Sequence, residues 1–208
     1  MTVGFLLAGH DNNSFMLGED SRKAMTLEEG EFYHWRFTLN GGLHPAICQK
    51  CGRKTDQSFF NPKFNLCKKR MDISSTYDGY TIVSERFRQF CISQKLNSLE
   101  FVKLPSQPGH YWLRVHNVLV IDREKSTEIQ FRHHCDLCNS YAGVHWTSWP
   151  AKICFQDVES AILTGIYRSD MEFADSHEQS YLTIVSFDLV TAIKAQKFKG
   201  ISLTKIEC

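Results

Sequence analysis

The sequence predicts an α+β fold: a single body over residues 1–208 in which a strand-helix-strand unit occurs twice. Three observations carry this reading. TIVS at 81–84 recurs as TIVS at 183–186, and residues 80–104 lie over residues 182–206 without a gap, with seven identical positions (81/183, 82/184, 83/185, 84/186, 94/196, 95/197 and 103/205). Each copy is preceded by one Cys-x-x-Cys pair, Cys48/Cys51 and Cys135/Cys138. Finally, 42% apolar and 12% aromatic residues provide ample material for a core. The first unit covers approximately residues 40–105 and the second 126–208, and no low-complexity linker separates them.

Taken in chain order, the amino-terminal MTVGFLLAGHDNN has a short apolar patch but no positive n-region, so it fails as a signal peptide. Residues 9–31 are polar and read as loops around short elements. Thr81-Ile82-Val83 is β-branched and suits a strand. Ser84 stands at an N-cap position, Glu85 suits the positive end of a helix dipole, and Phe87, Phe90 and Cys91 fall on one helical face. Asn97-Ser98 ends the helix, and Leu99-x-Phe101 alternates as a half-buried strand. Residues 110–121 read as a buried strand with the polar turn DREKS after it, and 126–132 as the strand leading into the second Cys pair. Residues 151–165 hold a short helix with Cys154, Val158 and Ile162 inward. The second unit repeats the pattern: Ser186 as cap, Asp188 in the first turn, a stripe of Leu189, Ala192 and Ile193, Gly200 as a left-handed C-cap, and Ile201-x-Leu203 as the closing strand.

Two Cys-x-x-Cys pairs match the ligand set of one structural zinc, since a tetrahedral Zn2+ accepts four thiolates and a two-residue spacer aims two sulfurs at one ion. Cys48, Cys51, Cys135 and Cys138 are therefore the candidate ligands of a four-cysteine zinc site formed by two zinc knuckles. The residue after the second Cys of a knuckle often takes positive φ, and Gly52 and Asn139 tolerate it. Thiols without metal and a redox Cys-x-x-Cys are the alternatives; the redox motif needs one pair in a particular βαβ context, not two. His44, His133 and His134 lie near the pairs as supporting or solvated residues. Cys67, Cys91, Cys154 and Cys208 stand alone and read as apolar core residues or free thiols in a reducing, cytoplasmic setting.

Charge is balanced, 24 basic against 23 acidic residues, which argues against nucleic-acid or anionic-membrane binding. No run approaches the length of a transmembrane span. P-loop, G-x-G-x-x-G, G-x-S-x-G and H-E-x-x-H motifs are absent, so the chain reads as a non-enzyme. His116 reads as a core or edge histidine, and His145-Trp146 with Trp149-Pro150 as an aromatic patch beside the second knuckle. Lys50, Arg53 and Lys54, and Lys68-Lys69-Arg70, form local basic spots. Residues 168–180 carry Asp170, Glu172, Asp175 and Glu178, either a solvated loop or an acidic surface that docks a basic partner.

The paired motifs, the first as Cys48-Gln49-Lys50-Cys51-Gly52, followed by IVSERF at 82–87 and a closing helix and strand, resemble the double-CxxCG motif family. The second knuckle has Asn139 where that family's pattern has glycine. Members of the family are similar to immunity proteins of bacterial polymorphic toxin systems. The resemblance implies a cytoplasmic protein that binds and neutralises a cognate antibacterial toxin acting in the cytosol, a nuclease, by blocking its active or substrate-binding site. A zinc-ribbon nucleic-acid-binding or regulatory module is the alternative.

Overall fold

The computed structural model describes residues 2–18, 23–25, 34–40, 42–147, 151–156 and 164–208. It is mixed α+β and forms one body, mostly sheet with two helices among the described residues. The elements that build the two sequence-related stretches and the strands beside them are β1 (Thr2–Asp11), β6 (Ile73–Ser75), β7 (Thr81–Ser84), α1 (Glu85–Ser93), β8 (Leu99–Lys103), β9 (His110–Val115), β10 (Val118–Leu119), β14 (Ile166–Asp175), β15 (Ser180–Val185), α2 (Phe187–Gln196) and β16 (Ile201–Glu207). The strands β2 (Lys23–Met25) with β3 (His34–Arg36), and β4 (Thr38–Leu39) with β5 (Gly42–Leu43), make two small ladders apart from the main sheet.

Both stretches form strand, helix, strand, and both straddle a third strand. β7 and β8 flank β9, each antiparallel to it, with Val83 and Lys103 both opposite Tyr111. β15 and β16 flank β1 in the same way, with Val185 and Lys205 both opposite Phe5. The strand enclosed by the second stretch thus comes from the amino-terminal end of the chain. β6 runs antiparallel to β7, and β14 to β15. The central strands then cross over: β1 continues parallel to β6, and β10, which extends β9, runs parallel to β14. Gly9 lies at the first crossing, where a Cβ would sit 2.4 Å from the carbonyl carbon of Ser74.

The two helices share one core. Phe87, Phe90 and Cys91 from α1 and Leu189, Val190 and Ile193 from α2 pack with Leu7, Ile73, Val83, Leu113, Ile166 and Val185. Rings of Phe87 and Phe90 meet Phe198 edge-on at 5.2 and 5.3 Å. In α1 this is the apolar stripe expected from the 3.6-residue period; in α2 Val190 is buried with Leu189 and Ile193, and Ala192 is only partly so. On the other side of the sheet each half has its own cluster, around Ile82, Tyr80 and Trp112 in one and Ile184, Val3 and Ile206 in the other.

Local expectations are met unevenly. Ser84 caps α1, its Oγ accepting from the Phe87 amide at 3.2 Å. Ser186 occupies the equivalent cap position, but its Oγ accepts from the Gly165 amide instead. The left-handed residue ending α2 is Lys197 (φ 52°), matched by Lys95 (φ 55°) after α1, and not Gly200. Gly200 has φ 78° and opens β16, where a Cβ would lie 2.4 Å from the Ile73 carbonyl oxygen. Strand β1 runs through Asp11, so the polar stretch from Gly9 begins as sheet. The strand expected over 110–121 divides into β9 and β10 at His116-Asn117, because the two parts pair with different neighbours. In 151–165 the described part is strand β13 (Ala151–Lys152), parallel to β16, with Phe155 bridging Ile121; Val158 and Ile162 lie outside the described residues.

Cys154 and Cys208 correct the reading of four lone thiols: they form a disulfide, with Cα atoms 4.7 Å apart. They follow the paired ends of β13 and β16, where Lys152 lies opposite Glu207, so strand pairing brings them together and sequence spacing gives no sign of it. Closing a loop across a separation of 54 residues is worth about 2–4 kcal/mol. Cys208→Ser is therefore expected to lower the urea midpoint under oxidising conditions, and dithiothreitol to lower the parent protein to the same level. Equal midpoints for the oxidised parent and the variant would show that the bridge does not contribute.

Candidate metal centre

Each knuckle is built from a turn and fixed by backbone hydrogen bonds. In the first, the Cys48 amide donates to the Arg53 carbonyl and the Gly52 amide to the Cys48 carbonyl, both at 2.9 Å, with Gly52 at φ 74°. The second is the turn between β11 (Ile129–Cys135) and β12 (Ser140–Trp146), with Cys135 opposite Ser140 and Asn139 at φ 51°. The positive φ expected after each second cysteine is thus present. The strand leading into this turn begins at Ile129, three residues later than the sequence reading.

The four sulfurs Cys48, Cys51, Cys135 and Cys138 lie within 4.8 Å of one another, the first three buried and Cys138 partly so. Cys48 Sγ stands 3.8 Å from Cys135 Sγ, and Cys51 Sγ 3.6 Å from Cys138 Sγ. An ion bound by four thiolates at about 2.3 Å sets its sulfurs about 3.8 Å apart, so the cluster fits a tetrahedral ion. Electrostatics make the same point. Burial pushes the Cys51 thiol far up and Cys138 up to about 11. Cys135 is held below the usual thiol range: burial opposes this, and the amides of Cys138 and Leu137, aimed at its sulfur, prevail. Four sulfurs this close, three of them buried, can ionise together only beside a compensating cation.

Contacts beyond the sulfurs join the two knuckles. Lys50 Nζ is 2.6 Å from Asp136 Oδ1 across the exposed rim. Arg53 turns inward, donating through Nε to Gln179 Oε1 at 2.7 Å and through Nη2 to Glu172 Oε2 at 2.5 Å. Gln179 Nε2 in turn donates to the Tyr141 carbonyl. Lys54 is fully buried, donating to the Asp78 carbonyl at 2.5 Å, and burial pulls it down to about 8 against the attraction of Asp78 and Glu172. Lys54 is thus interior and Arg53 partly buried; of the basic spot at the first knuckle only Lys50 stays fully at the surface.

His44 supports the first knuckle from behind. Its Nε2 donates to the Leu17 carbonyl at 2.9 Å and its Nδ1 accepts from the Ala46 amide at 3.2 Å, and burial lowers its pKa, which fixes the neutral ring. His133 and His134 are exposed, with His134 against the Tyr141 ring. His116 is exposed at the end of β9, its Nε2 3.0 Å from Glu100. Trp146 packs on Phe173 in the second half's cluster rather than over the sulfurs, and Trp149-Pro150 lies outside the described residues.

The four acidic residues do not form one loop surface. Residues 166–175 are strand β14. Glu172 is buried on Arg53; Asp170 accepts from the Ile121 amide at 3.0 Å; Asp175 Oδ1 is 2.7 Å from His145 Nε2; Glu178 is exposed. The register of β14 shifts between Arg168 and Glu172, so sequence alternation does not foretell the burial of Glu172 beside that of Phe173.

Fold and cluster together define the class: an α+β protein with a buried four-cysteine site suited to a metal ion. The chain matches no protein-family profile and no curated protein sequence. Among the described residues no helix is long and apolar enough to cross a membrane.

Proposed function

We propose that the four cysteines hold one structural Zn2+ and that the chain is a non-catalytic immunity protein, a duplicated strand-helix-strand unit stapled by the metal, which occludes a toxin domain acting in the cytosol. The observation that carries the stapled scaffold is the meeting of four sulfurs from two distant segments within 4.8 Å. All four positions of the tetrahedron are filled by protein, as in structural sites; catalytic zinc keeps one position open. The duplication is supported by the matching registers about β9 and β1 and by the shared left-handed positions Lys95 and Lys197. The toxin partner rests on the resemblance of the paired motifs. Of the acidic residues, Glu178 is exposed and Asp175 is 45% exposed at its side chain, so charge-guided docking of a basic cleft falls to these two. Coexpression with a toxin domain encoded beside it is expected to rescue growth and to yield a copurifying complex. Absence of both would remove the immunity reading while leaving the zinc staple standing.

A further inference from the structure

Between the two halves, away from the cysteines, lies a cavity of about 210 Å3. Its walls include Lys54, Arg114 from β9, His116 and Arg168 from β14, and they include no Asp or Glu among the described residues. The nearest carboxylates are already engaged. Glu100 is shared by Arg114 (3.1 Å) and His116 (3.0 Å). Glu172 is bound by Arg53, and Asp78 accepts from the Met16 and Leu17 amides beside Lys54. Arg53, Lys54, Arg114 and Arg168 thus outnumber Asp78, Glu100 and Glu172, and Arg168 reaches Glu172 only as a longer-range attraction. Its guanidinium carbon lies over the Tyr181 ring, 4.1 Å from the centroid, and the group donates to the Ser169 carbonyl, with no carboxylate in ion-pair range among the described residues.

A second observation is independent of charge. The side-chain Nε2 of Gln57, another wall of the cavity, is buried and has no acceptor among the described residues. A buried donor left in this state costs about 1–3 kcal/mol, which a turn of the side chain toward an acceptor in the cavity would recover. Contact with the Tyr181 ring and the bond to the Ser169 carbonyl restrain the Arg168 side chain, and a guanidinium recognises a flat or tetrahedral oxyanion through paired N–H groups. The volume is below the roughly 300–1,000 Å3 of sites for drug-sized ligands, so it suits a small ion rather than a nucleotide.

We propose that this cavity binds a small oxyanion, a phosphate or a short carboxylate, held by Arg168 with Arg114 and Lys54 and accepting from the Gln57 amide. The site is independent of the toxin reading. Because its walls come from both halves, an occupant stabilises the native packing of one half against the other.

Isothermal titration of the purified chain with inorganic phosphate, and separately with malonate, at constant ionic strength tests this. Saturable binding of either ion is expected, and the ion preferred identifies phosphoryl or carboxylate chemistry. Arg168→Gln removes a charged donor and is expected to weaken binding by about ten- to a hundredfold, whereas Arg123→Gln, which faces Phe131 on the surface, leaves it unchanged. Should Arg168→Gln not fold, Arg114→Gln on the same wall gives the reading, again as weakened binding. No saturable binding of either ion, or binding untouched in the folded cavity variants, overturns the assignment.

Discussion

Replacing Cys48 by serine is expected to empty the metal site and to destabilise the protein more than any surface change. The serine oxygen is a poor zinc ligand, and the three sulfurs left behind remain clustered in a buried pocket without a full coordination shell. Structural zinc contributes about 10–16 kcal/mol of apparent binding energy in small zinc domains, against a total stability of about 5–15 kcal/mol for ordinary domains. Loss of the ion is therefore on the scale of the whole fold. Elemental analysis should find about one zinc per chain in the parent protein and almost none in Cys48→Ser after dialysis. The thermal transition should fall or lose its cooperativity, while Cys67→Ser, an exposed position, leaves both readings unchanged. Zinc should also leave on acidification, because protons compete for the thiolates. A metal-free protein that unfolds at the parent's temperature would refute the staple.

Arg53→Met is expected to produce the second largest effect. The guanidinium holds Glu172, a buried side chain whose other oxygen, Oε1, has no partner among the described residues. Removing one member of a buried pair costs about 3–5 kcal/mol because the remaining charge is left poorly compensated. Burial already raises the Glu172 pKa, with Arg53 the first of the opposing charges. Without Arg53 the carboxyl rises further above its unfolded value, so the folded state favours the protonated form. The deficit is then greatest at neutral pH and shrinks as pH falls toward the ordinary carboxylate range. Urea unfolding at several pH values measures this, and Arg53→Met with Glu172→Met together should recover much of the loss. A deficit that does not change with pH would mean that Arg53 acts through packing alone.

The features legible in the sequence were those set by short spacing. The Cys-x-x-Cys pairs, the positive φ at Gly52 and Asn139, the cap at Ser84 and the buried stripe Phe87, Phe90 and Cys91 depend on neighbours within a turn or two, and all appear where the pattern places them. What sequence did not reveal depends on strand pairing between distant segments. The Cys154–Cys208 bridge follows from β13 lying beside β16. Arg53 and Lys54 read as surface charges until Glu172 and Asp78 are brought to them from β14 and from the turn before β7. The acidic run looked like a loop because four acids in thirteen residues lower its mean hydropathy; Phe173 and Ile166, facing the core, hold it as a strand. Ser186 matches Ser84 in sequence, yet its hydroxyl is drawn to the Gly165 amide.

The position of β1 has a temporal consequence. As a ribosome releases the chain, β1 emerges well before its two long partners, β15 and β16. Until they arrive its edges are open to chaperones or to other nascent chains, and the carboxy-terminal half cannot settle without it. The sheet around β1 is accordingly completed late, only when residues 180–207 reach residues 2–11.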